Sequence, residues 1–356
     1  MDFGFSEDQT LLQQTVRDFL DAECTPEFVR GQWDSETGRS PSFWAKLAEI
    51  GLPAVLIPEA HGGLGLDERD LVLALEETGR AALAEPVIET AAVAVPTLIA
   101  LGANGAGELA GKWLPRIASG EAIVAVGHTE SALIADAHIA NLLLLPHRDT
   151  LHAVDPATTS LVAHPSNDQS RRLFTVEWTP TAKTRVASGE TALRVQAEML
   201  DRGALACAAQ LLGVAQQLVD MGALYATQRR QFGVAIGSFQ AVKHRLANAR
   251  VQVEYARAVV YRAAHSVALA VPTRSVDVSM AKAVAGEAAT FAGGESLQVH
   301  GAIGYTYEQD LHVWMKRAWS LDLSFGTGAW HRARVGDALF DGGLPAANFG
   351  FQPRGA

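Results

Sequence analysis

The spacing of apolar residues changes twice along this chain and divides it into three stretches. Up to about residue 118, and again from about residue 196, apolar residues recur every three or four positions, as on one face of an α-helix. Over 119–195, short apolar runs are separated by Pro, Asp, Asn and Ser, which is typical of strands joined by turns. We therefore expect a mainly α fold with an N-terminal helical domain (1–118), a small, shortened central β domain of barrel or sandwich type (119–195) and a C-terminal four-helix bundle (196–356).

The first helical stretch carries clear start and stop signals. Ser6 precedes two acidic residues and Gln9, a pattern that predicts a capped helix start. A second helix is predicted near 43–50, ending at Gly51, and a third from Asp67 onward. Between them, 57–65 is too rich in glycine for a regular element, so its Glu59 and His61 are expected to be solvated loop residues rather than catalysts.

The β domain is predicted from five short runs. They cover 122–127, 142–145, 150–154, 160–163 and 173–178.

The helical pattern from Leu200 ends at Arg229 and is followed by the segment QFGVAIGSFQ. A planar, always charged guanidinium at Arg229 suits a pyrophosphate, and the neighbouring Phe232 ring could pack on an adenosine. Alternatively, Arg229 is there because cations are favoured at a helix C-terminus.

A second corner is predicted at 298–304, where the turn QVHGAIG separates two helical patterns. Gly301 and Gly304 lack a Cβ, so a bulky or charged ligand, or another chain, could approach the backbone closely. Plain packing between two helices is the commoner reason for such a glycine pair.

Charge and cysteine content limit the possible partners and the compartment. A net charge of −10 argues against nucleic acid, since phosphate binding needs clustered Lys and Arg. Two distant cysteines, Cys24 and Cys207, indicate a reducing compartment, and no Cys/His spacing suggests a metal. The N-terminus lacks an apolar signal core, and the most apolar run, 91–103, is interrupted by Pro96 and too short for a bilayer. We expect a soluble, cytoplasmic protein without a membrane partner.

Taken together, these motifs resemble the acyl-CoA dehydrogenase family. The resemblance rests on Leu-x-x-Ile-Gly-Leu and Pro-Glu-x-x-Gly-Gly-Leu-Gly in the N-terminal stretch, on Arg-x-x-Phe-Gly followed by Phe-Gln, and on the turn at 298–304. It implies FAD as cofactor, with two corners that hold the adenosine diphosphate half of a neighbouring subunit's FAD. The implied cofactor-binding residues are Arg229, Gln231, Phe232, Phe239, Gln240, Gln298, Val299, Gly301, Ala302, Gly304 and Thr327.

Both positions at which the family places its catalytic carboxylate are changed here. The usual ending Tyr-Glu-Gly-Thr is Ser-Phe-Gly-Thr, with Phe325 in place of the base. The other base position, 29 residues before Phe232, falls on Gly203, and the arginine often beside it is Ala204. Neither Phe325 nor Gly203 can accept a proton. The nearest carboxylate, Asp201, is a weak candidate base that we expect to cap the helix instead.

The middle domain also departs from the family's pattern. Residues 128–131, His-Thr-Glu-Ser, match its Thr-Glu-Pro motif in part, but no Gly-Ser-Asp or Trp-x-Thr-Asn occurs, and Trp178 lies too late. Thr129 is expected to be a strand residue with at most a residual cofactor contact. The resemblance thus implies that this chain does not build its own flavin-ring pocket.

The kept and lost features are similar to those of the shorter, base-less subunit of heterotetrameric (α2β2) acyl-CoA dehydrogenases of steroid side-chain degradation. This resemblance implies a homologous catalytic partner subunit, a bulky acyl-CoA substrate and an electron-transfer flavoprotein as acceptor. Two alternatives stay open. One is a self-sufficient homotetramer using Asp201 or Glu308 as an atypical base, although Glu308 looks like a helix-start acid. The other is a non-catalytic, acyl-CoA-binding paralogue.

Overall fold

The computed structural model describes residues 4–340, so the last part of the predicted C-terminal domain, 341–356, lies outside the described residues. The helices are Glu7–Glu23 (α1), Pro26–Trp33 (α2), Pro41–Glu49 (α3), Glu68–Arg80 (α4), Val95–Ala103 (α5), Gly107–Ala118 (α6), Gly189–Gln228 (α7), Gln240–Ala268 (α8), Arg274–His300 (α9), Leu311–Leu323 (α10) and Gly328–Phe340 (α11). The strands are Val124–Val126 (β1), Leu133–Ala135 (β2), Leu142–His147 (β3), Thr150–Val154 (β4), Ser160–His164 (β5), Leu173–Glu177 (β6), Arg185–Ser188 (β7), Arg230–Gln231 (β8) and Val234–Ala235 (β9). The chain is therefore mainly α with a small central β domain, as predicted.

The N-terminal helices form where their capping residues indicate. The Ser6 hydroxyl accepts from the Gln9 backbone N–H at 3.2 Å, and the Gln9 side chain accepts from the Ser6 N–H at 3.0 Å, so the predicted capping box of α1 is present. Asp67 caps α4 in the same way. Gly51, at φ +81°, follows the end of α3. The predicted starts of α1 and α4 are thus confirmed.

The middle of the chain folds into two sheets. One has the strand order β1-β3-β4-β7, with β1 and β3 parallel and the other pairs antiparallel. The second has the order β2-β6-β5 and is antiparallel. All five predicted runs contain strands. The pattern missed β2 and β7, which have three and four residues.

Helix α7 is the central helix of the C-terminal bundle, and its start corrects one prediction. It begins at Gly189, after Ser188, so Asp201 lies inside the helix and is not its N-cap. The reason is that Ala192, Val195 and Met199 already continue the buried face upstream. By length and composition α7 could cross a membrane, but 78% of its most apolar window is buried inside the fold, as in the core helix of a bundle.

The N-terminal helices join the bundle through a close crossing of α4 and α7. A Cβ on Gly79 of α4 would lie 2.0 Å from the Gln210 carbonyl oxygen, and one on Gly213 of α7 would lie 1.8 Å from that of Glu76. Two glycines therefore let the backbones touch. Helices α8 and α9 pack along α7, α10 packs on α7 and α9, and α11 packs on α9.

Candidate functional site

A half-open cavity of about 280 Å³ lies between the β domain and α10. The sheets contribute Val126, Leu133 and Leu173, and the C-terminal end of α10 contributes Leu323. Several serine hydroxyls line the same space, and Trp319 and Lys316 border it. The cavity thus combines an apolar wall with polar groups, which is the usual character of a small-molecule site.

Phe325 closes one side of this cavity by packing directly on Gly203. A Cβ placed on Gly203 would lie 2.1 Å from Cδ1 of the Phe325 ring, so only glycine fits beneath this ring. Phe325 is 3% exposed, and its other face stacks on His128 with 4.4 Å between ring centroids. The two positions predicted to have lost the base are therefore neighbours in space, and each fits the other.

An ion pair that sequence reasoning missed lies deeper in the cavity. The Arg171 guanidinium donates to the Glu89 carboxylate at 3.3 Å and to the Ser324 hydroxyl at 3.3 Å. Glu89 is buried in a π-helical stretch, Ile88–Ala94, just before α5. A single acid within an otherwise apolar segment was the available signal, because such an acid needs a buried partner.

The acid–base groups around the cavity are already committed to partners or kept neutral. Burial, with a smaller effect of Arg171, lowers the pKa of His128 to about 4, so this ring is neutral at pH 7. Asp168 accepts from the Arg317 guanidinium at 2.6 Å, and Glu89 is paired with Arg171. Among its described lining residues, the cavity can bind and orient a molecule but offers no unpaired carboxylate as a base.

The two alternative carboxylates lie elsewhere. Asp201 accepts from Arg334 at 2.7 Å and from the Ser275 hydroxyl, both on the side of α9 and α11. Glu308 is exposed and precedes α10, whose first helical residue is Leu311, so the helix-start interpretation is wrong by one turn. Asp310, two residues later, is the N-cap residue of α10 instead.

Thr129 does not reach the cavity. It is exposed in a turn next to β1, where its hydroxyl donates to Glu130 at 3.3 Å. It is not in a named strand, so its interpretation as a strand residue is wrong. The reason is that the chain reverses between His128 and Ser131, which form an isolated bridge.

The first predicted corner is an exposed hairpin at the end of α7. Arg229 is the C-cap residue of α7, and among residues 4–340 no hydrogen bond or ion pair engages its guanidinium. Gln231, Phe239 and Gln240 are exposed as well. Phe232 is 93% exposed and lies edge to face with Phe239, with 6.2 Å between ring centroids. A cation and an aromatic ring are thus presented together to solvent.

The second predicted corner begins later than expected. Gln298 and Val299 still belong to α9, because the helix runs to His300. Val299 is buried, whereas Gln298 and Ala302 are exposed. The segment 301–305 then forms a short 3₁₀ turn.

The two glycines of this turn are needed for different reasons. Gly301 adopts φ +65° and ψ −142°, and a Cβ there would meet nothing within 4 Å, so its conformation requires glycine and its face is open. Gly304 is buried, and a Cβ would lie 2.9 Å from Leu297. Backbone conformation explains Gly301, while plain packing explains Gly304.

The structure brings the two corners together but places Thr327 apart from them. Tyr225 of α7 stacks on His300 of α9 with 4.3 Å between centroids, so both helices end side by side. Thr327 instead caps α11, near Gly286 of α9. From Gly286 to Gly301 the helix rises about 22 Å. Only an elongated ligand could touch Thr327 and both corners.

Comparison with known proteins gives consistent results. Residues 6–121 match the family described as acyl-CoA dehydrogenase, N-terminal domain, and residues 193–340 match the acyl-CoA dehydrogenase, C-terminal domain. The chain is 33% identical to acyl-CoA dehydrogenase IpdE2 of Mycolicibacterium smegmatis over 314 residues, covering 88% of this chain and 93% of the relative. Among solved structures it is similar to the ChsE4-ChsE5 complex from Mycobacterium tuberculosis, with a TM-score of 0.85, 26% identity and coverage of 97% and 100%. It is also similar to the Tcur3481-Tcur3483 steroid ACAD G363A variant, with a TM-score of 0.83, 25% identity and coverage of 94% and 98%.

Proposed function

We propose that this chain, which belongs to the acyl-CoA dehydrogenase family, is the subunit of a heteromeric enzyme that lacks the catalytic base. The enzyme would introduce an α,β double bond into a bulky acyl-CoA thioester, with a steroid side chain as the favoured substrate class. A homologous partner subunit would supply the catalytic carboxylate. The observation that carries this proposal is the contact of Phe325 with Gly203, which fills both places where the family positions a base.

FAD is the cofactor of this family, and the residues of this chain fit one end of it only. The exposed Arg229 and Phe232 and the open face of Gly301 suit an adenosine diphosphate group. Phe325 and the pair Glu89–Arg171 line the cavity by the β domain, and we infer that this cavity does not take the flavin ring. The chain would therefore hold part of a cofactor whose ring lies in its partner.

The roles of the residues follow from their chemistry. Bound FAD supplies the hydride acceptor for oxidation of the acyl chain. Arg229 would neutralise pyrophosphate charge, Phe232 would cover an adenine or ribose face, and Gly301 would let the backbone approach a phosphate. None of these groups takes a proton from the substrate, and that step is left to the carboxylate of the partner.

The partners and substrate are inferred from the relatives. The structural relatives include a two-component complex, ChsE4-ChsE5, and a steroid ACAD with two named components. Their architecture supports a heteromer, here an α2β2 tetramer with one FAD per pair, and favours a polycyclic acyl group. An electron-transfer flavoprotein is the acceptor we expect, in the cytoplasm.

The test compares this chain alone with this chain co-expressed with a full-length homologue encoded next to it. Native mass and the flavin absorption spectrum are measured for both preparations. We expect a colourless single-chain preparation and a yellow mixed tetramer with one FAD per pair, which oxidises polycyclic acyl-CoA. A yellow, active homotetramer of this chain would overturn the proposal, and a colourless, inactive mixture that still binds acyl-CoA would favour the non-catalytic paralogue.

A further inference from the structure

The turn that joins α10 to α11, residues 322–328, has an unusual backbone. Phe325 adopts φ +53°, in the left-handed region that non-glycine residues rarely enter, and Gly326 follows at +97°. The Phe325 ring is nevertheless buried. Such a conformation persists only where the surrounding contacts fix it, so the contacts of this turn show what holds the ring in place.

Lys282 of α9 braces the turn from the bundle side. Its side chain is fully buried, and its ammonium donates to the backbone carbonyls of Asp322 at 2.8 Å and Gly326 at 3.2 Å. These carbonyls lie on either side of Phe325 in the chain. A buried ammonium is costly unless it is hydrogen-bonded, and burial accordingly lowers the pKa of Lys282. Lys282 thus makes two hydrogen bonds to the turn that no apolar side chain could make.

His331 of α11 fixes the centre of the same turn. Its Nε2 lies 3.0 Å from the carbonyl oxygen of Phe325, and its Nδ1 lies 3.1 Å from the Ser279 hydroxyl. Because a carbonyl can only accept, Nε2 carries the proton. Burial, with a smaller effect of Lys282, lowers the pKa of His331 to about 4, so the ring is neutral at pH 7 and donates one bond to the turn.

The turn forms a wall between two cavities. On one side lies the cavity of about 280 Å³ by the β domain, bordered by Ser324 and Phe325. On the other side lies an open groove of about 640 Å³, bordered by Asp322, Thr327 and Gly328. The Phe325 ring reaches across to Gly203 of α7 and closes the wall there.

We propose that Lys282 and His331 are positioning residues that hold the Phe325 ring against Gly203, so that the ring separates the two cavities. The closed wall excludes an elongated ligand with a planar end, such as the ring end of a dinucleotide, from the inside of this chain. The inference rests on the proposed function, since it explains how the chain keeps the ring of a shared cofactor out of its own cavity. Phe325 would contact the ligand, and the two positioning residues act through it.

Cys207 offers a direct readout of the wall. It lies one helical turn after Gly203 on the same face of α7 and is 0% exposed. Its charged neighbours include Lys282, which holds the turn, and Arg171, which lines the cavity by the β domain. Burial raises the pKa of its thiol to about 12. Removing the ring from Gly203 would uncover this helix face. Cys24, buried at the C-terminal end of α1, reports general opening of the fold.

The experiment measures maleimide labelling of each cysteine by peptide mass spectrometry in the full chain. Phe325→Ala, Lys282→Met and His331→Leu should each accelerate labelling of Cys207 about tenfold or more, with Cys24 unchanged, as expected for a local opening. His331→Gln keeps an N–H donor for the Phe325 carbonyl, so its labelling rate should stay within about twofold of wild type.

Three results would overturn the inference. Equal acceleration of both cysteines would mean that Lys282 and His331 stabilise the fold in general. Fast labelling in Phe325→Ala alone would mean that the ring is held without them, and slow labelling in that variant would mean that the ring does not cover α7. Flavin content is measured on the same wild-type sample: FAD in the chain alone would defeat the proposed function and leave the labelling result unaffected.

Discussion

Two regions of this molecule carry family motifs, and they differ in how far the side chains of those motifs are buried. In the cavity by the β domain, the Phe325 ring is covered on one face by Gly203 and on the other by His128. At the end of the bundle, the Phe232 ring is 93% exposed, and the Arg229 guanidinium has no partner among residues 4–340. The protein itself covers the ring in the first region, whereas the groups of the second region face solvent.

Under the proposed function, this difference separates the region that would bind the adenosine end of FAD from the region that would exclude its flavin ring. Leaving a phenylalanine ring in water forgoes about 2 kcal/mol of burial, so an exposed ring beside an unpaired cation is best explained by a ligand or a subunit that covers both. The cavity by the β domain needs a different explanation, because its carboxylates Glu89 and Asp168 already have protein partners. Under the proposed function, the chain would hold part of a cofactor and would have closed the place for its reactive ring.

The largest expected effect comes from the filled region. Gly203→Ala places a Cβ 2.1 Å from the Phe325 ring, so we expect the free energy of unfolding to fall by about 3 kcal/mol. Denaturant titration of the full chain measures it. The double variant Gly203→Ala/Phe325→Leu should recover part of the loss, since the two residues share one contact.

Gly294 provides the matched control for this prediction. It lies in α9, and a Cβ there would meet nothing within 4 Å. Gly294→Ala should therefore leave stability unchanged or raise it by up to about 1 kcal/mol, from helix propensity alone. If Gly203→Ala proved as harmless as Gly294→Ala, the Phe325 ring would not be seated on α7.

The sequence allowed the exposed region to be predicted better than the filled one. The corner residues follow local rules, since a helix end, a cation and glycines appear in sequence order. The pair Glu89–Arg171 joins residues far apart in sequence, and no local pattern could predict their contact. The start of α7 was misplaced for a similar reason, because burial of Val195 and Met199 depends on the β domain packed beside them.

The second prediction concerns the exposed region. Arg229→Gln in the mixed complex should weaken FAD binding by about 2 kcal/mol, roughly 30-fold, because it removes one charge-assisted bond to a pyrophosphate. The stability of this chain should not change, since the guanidinium has no partner among the described residues. Flavin release measured by fluorescence gives the dissociation constant.

Arg230→Gln is the control, because Arg230 is also exposed and adjoins Arg229 but lies in β8. Equal losses in the two variants would mean that the corner contributes only general positive charge.

The third prediction uses acid to test the filled region. The folded chain lowers the pKa of His331 from 6.5 to about 4, so the unfolded chain binds the extra proton first as pH falls. His331 then contributes stability above pH 6.5 that is lost progressively towards pH 4. Glu85 works in the opposite direction, because burial raises its pKa to about 7.

The contribution of His331 is isolated by comparing wild type with His331→Gln. Between pH 7 and pH 4.5, the wild type should lose about 1 to 2 kcal/mol more stability than the variant. Urea titrations at both pH values measure this difference. Parallel pH profiles for the two proteins would show that His331 is not buried against the Phe325 turn.

The smallest expected effect tests whether Asp201 is an atypical catalytic base or a structural residue paired with Arg334. Its carboxylate accepts a hydrogen bond from Arg334 at 2.7 Å and lies about 200° around α7 from Gly203. It therefore points away from the face of α7 that the Phe325 ring covers. In the mixed complex, Asp201→Asn should therefore keep turnover within about twofold, while the free energy of unfolding falls by about 1 kcal/mol as one charge-assisted bond weakens. Steady-state rates and denaturation of the same preparation measure both quantities.

A fall in turnover of about 100-fold or more at unchanged stability would identify Asp201 as the proton acceptor. In that case this chain would have its own catalytic base despite the contact of Phe325 with Gly203. The difference between the two regions would then not indicate a division of functions between two subunits.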